Sequence, residues 1–281
     1  MKLSELRSDY EVKVRDANNR ILTDAQYLEL LNQGCQEWQN RTEELRRETA
    51  LATTVKQFDY AAPTDIIKLI GAIWMPTESE LEVLGPTEAV RFGAYGLRHV
   101  GTPSYIWQDE NNGRLRIYPA APESSATTTI SDTGGISSSD ATIGAAATSS
   151  FRSPAGWMDI ESEKILYQNT SSAQFLLCRR GMGGTTAATH ADSTAITECN
   201  LHLIYSYFPA AISADTDEPA FNERWHRYLN WYVLATALKL DGRATDAAAA
   251  EAKWEQGVAQ AKRSIKRVQS GSPFGFMSTG Y

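Results

Sequence analysis

The chain has 281 residues, a formal charge of −7 and a sequence pI of about 5.2, enough length for one large or two small domains with a substantial core. Its 42% hydrophobic and 22% charged residues are ordinary for a soluble globular protein, and no apolar run reaches the roughly 20 residues of a membrane helix. The N-terminus lacks a basic stretch followed by an apolar one, so no signal peptide is expected; the mild acidity argues against sequence-independent duplex binding as the main activity, though not against a wall that DNA slides past.

Residues 3–16 carry Leu3, Leu6, Tyr10 and Val14 at helical spacing, and Asn18-Asn19 reads as the end of that helix. Thr23-Asp24 caps a second helix with Leu28, Leu31, Cys35, Trp38 and Leu45 on its stripe. The period then changes. Residues 51–60 alternate loosely, 63–74 are β-branched and apolar, 76–80 form a polar turn, and 81–84 read as another strand. Pro86-Thr87-Glu88 opens a short helix to about residue 95. Tyr105-Ile106-Trp107 and 115–119 flank Asn112-Gly113, the signature of a hairpin.

From 123 to 150 the chain is dominated by Ser, Thr, Ala and Gly; short β-prone runs follow at 157–160, 163–167, 175–178 and 195–196. This pattern predicts a small all-β module inserted at 123–200, with the strands 115–118 and 201–208 as neighbours in one sheet of the outer domain. After a polar loop at 213–218, Glu218-Pro219 starts a helix that is apolar over most of its circumference (Trp225, Leu229, Tyr232, Val233; Trp231, Leu234, Leu238). Gly242 fits a left-handed cap. A last helix carries Ala247, Ala250, Trp254, Val258, Ala261, Ile265 and Val268 as a narrower stripe. The fold class expected is α+β: a helical bundle with a small antiparallel sheet, plus an inserted barrel- or sandwich-like β module.

Candidate chemistry is sparse. Arg179-Arg180-Gly181-Met182-Gly183-Gly184-Thr185-Thr186 is glycine-rich, but no Lys follows and the flanks are β, so a tight turn is expected rather than a phosphate loop. His190 and Asp192 read as a hydrogen-bonding pair at a turn. Asp159, Glu161 and Glu163 alternate as on a solvated strand face, a simpler origin than the paired carboxylates of glycoside hydrolysis. Three cysteines (Cys35, Cys178, Cys199) have no metal-ligand spacing and fit a reducing compartment, and no Ser or Cys sits in a nucleophile elbow. No catalytic, metal or cofactor site is expected; the chain reads as a non-enzyme. Lys262, Arg263, Lys266 and Arg267 make a basic helix end, and the tail from about 271 presents Phe274, Phe276 and Tyr281, a peptide suited to ordering on a partner.

Taken in order, Trp38, Tyr60-x-x-Pro63-x-Asp65, Trp74, Gly101-Thr102-Pro103-Ser104-Tyr105, Leu115-Arg116-Ile117-Tyr118-Pro119, Tyr205-Ser206-Tyr207-Phe208-Pro209, Asp215, Asp217 and Trp225-His226 resemble the head-to-tail connector (portal adaptor) proteins of tailed bacteriophages, over residues 1–122 and 201–281. Arg180-Gly181-x-x-Gly184-Thr185-Thr186-Ala187-x-x-His190 separately resembles a β module recurrent in phage tail and neck proteins. The resemblance implies a structural virion protein, made in the host cytoplasm and located in the neck. It implies a homo-oligomeric ring, dodecameric in the family, with the portal protein above, a tail or nozzle protein below and double-stranded DNA passing through the lumen, away from any membrane. The seven basic and aromatic residues named above would dock on the portal, and lumen-facing acids would keep DNA sliding. The usual adaptor lacks the insert, which leaves open whether it decorates the ring, contacts a neighbouring tail protein or holds a fibre. Two other classes remain: a cell-wall hydrolase using Asp159, Glu161 or Glu163, and a carbohydrate-binding host-attachment protein using the module.

Overall fold

A computed structural model describes residues 1–14, 21–93 and 99–268, the side chains of 91–93 and 266–268 excepted. The protein is mixed α+β and divides into two compact units, 1–46 with 206–281, and 47–205. The helices in chain order are α1 (Leu3–Val14), α2 (Asp24–Thr42), α3 (Pro86–Gly93), α4 (Glu223–Leu240) and α5 (Ala244–Val268), of which α3 alone lies in the second unit.

In the first unit the apolar stripes of α1, α2, α4 and α5 share one core. Trp38 is its hub, fully buried, with ring centroids 5.3 Å from Trp254, 5.9 Å from Trp225, 6.2 Å from Phe221 and 6.4 Å from Tyr228. Its indole N–H donates to Glu44 at 3.1 Å. Asn230 is one of the polar residues buried beside this core, and it is satisfied: it accepts from Tyr27 Oη at 2.7 Å and donates to the Leu6 carbonyl and Asp9. The Thr23 cap forms as expected, as a capping box with Gln26. Two boundaries differ from the sequence reading. Leu45 lies beyond α2, which ends at Thr42 with Glu43 left-handed, and α4 starts at Glu223 with Asn222 as its cap rather than at Pro219. Short polar side chains satisfy the first free N–H groups of a helix, and Asn222 does so by accepting from Arg224.

The strands are β1 (Arg46–Leu51), β2 (Asp59–Ala61), β3 (Ile66–Trp74), β4 (Ser79–Val83), β5 (Tyr105–Asp109), β6 (Arg114–Tyr118), β7 (Thr127–Thr129), β8 (Thr142–Gly144), β9 (Gly156–Ile160), β10 (Glu163–Tyr167), β11 (Asn169–Ser171), β12 (Gln174–Leu176), β13 (Arg179–Met182), β14 (Ala195–Cys199) and β15 (Leu201–Tyr207). A seven-stranded sheet has the order β1-β15-β3-β4-β5-β6-β2. It is larger than the small antiparallel sheet expected, and β4 and β5 run parallel. The hairpin β5–β6 is as predicted, but β6 and β15 are separated by three strands and are not neighbours.

Residues 127–199 form a five-stranded sheet, β13-β10-β9-β14-β7, and a three-stranded one, β11-β12-β8, around their own core of Ile130, Ile143, Met158, Ile165, Phe175 and Ile196. Only Asn200 separates β14 from β15, so the chain passes straight from one large sheet to the other. Both crossings are pinned on Thr53, whose N–H donates to Ser125 Oγ at 2.8 Å and whose hydroxyl accepts from Asn200 at 3.3 Å. A second face of the five-stranded sheet, with Trp157, Leu166, Met182 and Cys199, packs on Ala50 of β1. Such two-sided burial explains why Trp157 and Met158, consecutive and on opposite faces of β9, are both buried.

Candidate functional site

Of the residues the sequence singled out for docking, Lys262 and Arg263 lie on the exposed flank of α5, off the stripe that buries Val258 and Ala261. Lys266 and Arg267 belong to α5, but their side chains lie outside the described residues, as do Phe274, Phe276 and Tyr281. The two visible cations stand near the helix C-terminus, where the macrodipole favours positive charge.

Among the described residues a dense polar constellation lies in the β module, where sequence reasoning expected only a turn. Gly181, Gly183 and Gly184 all adopt positive φ, at 61°, 63° and 82°, which lets the chain reverse after β13. The turn is tied down by Glu163, the first residue of β10. One carboxylate oxygen accepts from Arg180 Nε at 2.8 Å and Gly181 N at 2.9 Å; the other accepts from Arg180 Nη2 at 2.8 Å, Ala188 N at 3.1 Å and faces His190 Nε2 at 2.8 Å. Arg180 reaches on to the carbonyls of Ser137 and Ala188. Glu163 and Arg180 are 1% and 6% exposed. Burial alone would raise the Glu163 pKa; Arg180, His190 and the two backbone N–H groups outweigh it and hold the carboxyl at about 2.

Two expectations are corrected here. Asp159, Glu161 and Glu163 do not share one solvated strand face, because the chain turns at Glu161 (φ 54°) between β9 and β10. Asp159 pairs with Lys164 at 2.7 Å, and Glu161 stays exposed. His190 does not pair with Asp192 in a surface turn: it is buried, with Nδ1 2.8 Å from Glu161 and Nε2 facing Glu163, while Asp192 accepts from the N–H of Ser193.

The same turn lies against the seven-stranded sheet. A Cβ on Gly183 would meet the Thr49 side chain of β1, and one on Gly184 would meet Arg47, so both glycines permit a close approach. Arg152, which the sequence reading did not single out, bonds the Met75 carbonyl and Glu78, and its backbone N–H donates to Glu198 at 2.6 Å. The His202 ring lies tilted at 31° to that of Trp157, with centroids 5.5 Å apart, and 3.6 Å from Glu48. Chemically, Glu163, Arg180 and Arg152 are committed to protein partners. Arg180 gives four hydrogen bonds, to Glu163, Ser137 and Ala188, and burial pushes the Cys178 thiol up to about 12 and the Cys199 thiol well above its usual value. Among the described residues no cluster of three His, Cys, Asp or Glu could hold a metal.

The comparison with known families turns on the whole chain: the SU10 adaptor protein family matches residues 1–275. The chain belongs to the SU10 adaptor protein family. It is thus a phage structural adaptor, and the matched span encloses the β module as well as the helices. No curated protein matches it. No described helix of this adaptor is long and apolar enough to cross a membrane.

Proposed function

We propose that the chain builds the connector ring between the capsid portal and the tail, in the neck of the virion. Copies pack side by side, about twelve to a ring as in the resembling connectors, and double-stranded DNA passes through the lumen without being read. The observation that carries this reading is the family membership over residues 1–275. The division of labour that fits it assigns 1–122 with 201–281 to the adaptor core, its helices acting as a bundle, and 123–200 to an inserted domain. Lys262, Arg263, Lys266 and Arg267, with Phe274, Phe276 and Tyr281 beyond them, form the surface that docks on the portal; a tail or nozzle protein binds below. The role is structural, with no reaction and no cofactor. The net charge of −7 suits a passage that must not retain DNA.

Light scattering tests this with the purified chain, alone and mixed with the portal of the same phage, at full length and ending at Ser270. Full-length chain should join the portal as a ring-sized complex, and the shortened chain should fail to. A chain that stays monomeric beside the portal in both forms overturns the connector reading. Glycan binding by the full chain would then favour host attachment.

A further inference from the structure

The connection between β5 and β6, residues 110–113, is exposed throughout and lies beyond the last paired residues of the hairpin. It contains Asn112-Gly113, the one place in the chain where glycine follows asparagine. Gly113 sits at φ 60°, and a Cβ built there would meet nothing within 4 Å, so neither a side chain of its own nor a packed neighbour crowds this end of the turn. The Asn112 side chain is tied to Asp109, to whose carboxylate Nδ2 donates at 2.9 Å, and the Asn112 N–H donates to the Asp109 carbonyl at 3.2 Å. Both bonds belong to an exposed turn, where local opening costs little.

We propose that Asn112 is a site of spontaneous chemical modification, at which its amide becomes a carboxylate through a cyclic imide formed with Gly113. The Gly113 nitrogen gives its proton to solvent base and attacks Asn112 Cγ. The new N–Cγ bond closes a ring, the Cγ–Nδ2 bond breaks, and Nδ2 leaves as ammonia with a proton taken from water. Water then opens the imide at either carbonyl. Cleavage of the new N–Cγ bond gives aspartate with the main chain unchanged. Cleavage of the original peptide bond gives isoaspartate, in which the main chain runs through the former side chain. Other asparagines lack this context: Asn32, Asn40 and Asn230 lie inside α2 and α4, while Asn169, Asn200 and Asn222 precede Thr, Leu and Glu.

Either product alters the turn in a defined way. A carboxylate at position 112 no longer donates to Asp109 and sets a second negative charge beside it. Asp109 is bonded to Arg116 at 3.1 Å, and Arg116 also holds Asp59 of β2 at 3.3 Å. The isoaspartyl product further lengthens the main chain ahead of Gly113, whose carbonyl accepts from the N–H of Ala62 at 3.1 Å, just past the end of β2. Because β2 is the last strand of its sheet, conversion loosens that edge first.

Mass spectrometry tests this on the full chain, held in mildly alkaline buffer made with oxygen-labelled water and then digested in ordinary water. The peptide 99–114 should take up label and the mass of an amide-to-acid exchange at position 112, ahead of every other asparagine, and should split into two products of equal mass. Conversion should quicken with rising pH, because the attacking nitrogen must lose its proton. It should fall several-fold in Gly113→Ala and be lost in Asn112→Gln, whose longer amide closes its ring far more slowly. Hydrogen exchange at the Ala62 amide should accelerate in Asn112→Asp. An Asn112 that stays intact while other asparagines convert overturns the proposal, as does a Gly113→Ala chain that converts as fast as the unaltered one. So does a folded chain that converts many-fold more slowly than the same chain in urea, since the turn would then shield the site.

Discussion

Arg41 and Glu255 in the helical unit make a bidentate contact, as do Arg180 and Glu163 in the β module, twice at 2.6 Å through Nη1 and Nη2 in the first pair and twice at 2.8 Å through Nε and Nη2 in the second. The first pair bridges α2 and α5 with its side chains 30% and 52% exposed; the second is buried at 6% and 1%. Water and salt screen the first and compensate either partner when the other is lost. Protein covers most of the second, so each charge depends on the other and on the backbone groups they share. The helical unit is thus held by apolar surface with ion pairs as trim. The glycine-rich end of the module is held by charge, because Ser, Thr and Gly supply little apolar surface there.

Substitutions separate the two regimes. Trp38→Ala should cause the largest loss, about 4 kcal/mol, since it empties the hub that four other aromatic rings contact. Urea denaturation should show the helical transition moving to lower denaturant and the β signal holding. Glu163→Ala should cost the β unit about 3 kcal/mol by leaving Arg180 buried without a counter-charge. The sharper form is the pair Glu163→Leu with Arg180→Met, which should regain much of that loss. If the double change is worse than the single one, the backbone bonds to Gly181 and Ala188 rather than the ion pair hold the loop.

Acid addresses the same comparison without mutation. The folded carboxyl of Glu163 sits at about 2, below its ordinary 4.5. Its contribution is therefore fully present above about 4.5 and is lost as the pH falls towards 2. Amide exchange at Gly181 and Ala188 should rise across that window, before exchange in the core of the helical unit. Equal acid sensitivity of both regions would mean that the exposed carboxylates of α5, Glu255 among them, matter more than their surroundings suggest.

A smaller effect is expected where the loop meets the sheet. Gly184→Val places a β-branched residue at φ 82° and a Cβ into Arg47, and should cost about 2 kcal/mol. Val at Gly113, also at positive φ but open to solvent, should cost less by the amount due to contact. Their difference, read by thermal melts, measures how tightly the module seats on β1.

What the sequence revealed follows the same divide. Trp38, Trp225, Leu229, Val258 and Ala261 recur at helical spacing, and apolar periodicity is a local property, so the four helices of the first unit were legible. The hairpin was legible for a similar reason, since Asn112-Gly113 dictates its own turn. The charged knot was not, because its partners lie 17 and 27 residues apart and only the turn at Glu161 sets their register. One signal was available. Glu163, Ile165 and Tyr167 share a face of β10 by the period of two, which placed the carboxylate on the apolar side; grouping it with Asp159 and Glu161 across the turn hid that. The order of the seven-stranded sheet was also out of reach, since β6 and β15 are equally plausible neighbours until β3, β4 and β5 are seen between them.

The smallest predicted effect is also the most direct check on the contrast. Arg41→Ala removes a contact as short and as bidentate as the buried one, yet it should cost less than about 1 kcal/mol, and less again at high salt. Glu255 keeps water when Arg41 is gone, so no charge is stranded. A double-mutant cycle with Glu255→Ala isolates the pair from whatever packing the arginine stem supplies. A coupling near that of the buried pair would show that geometry, and not surroundings, sets the worth of an Arg–Glu contact in this chain. A coupling that fades with added salt would place the helical unit's strength where its sequence pattern puts it, in the packing around Trp38.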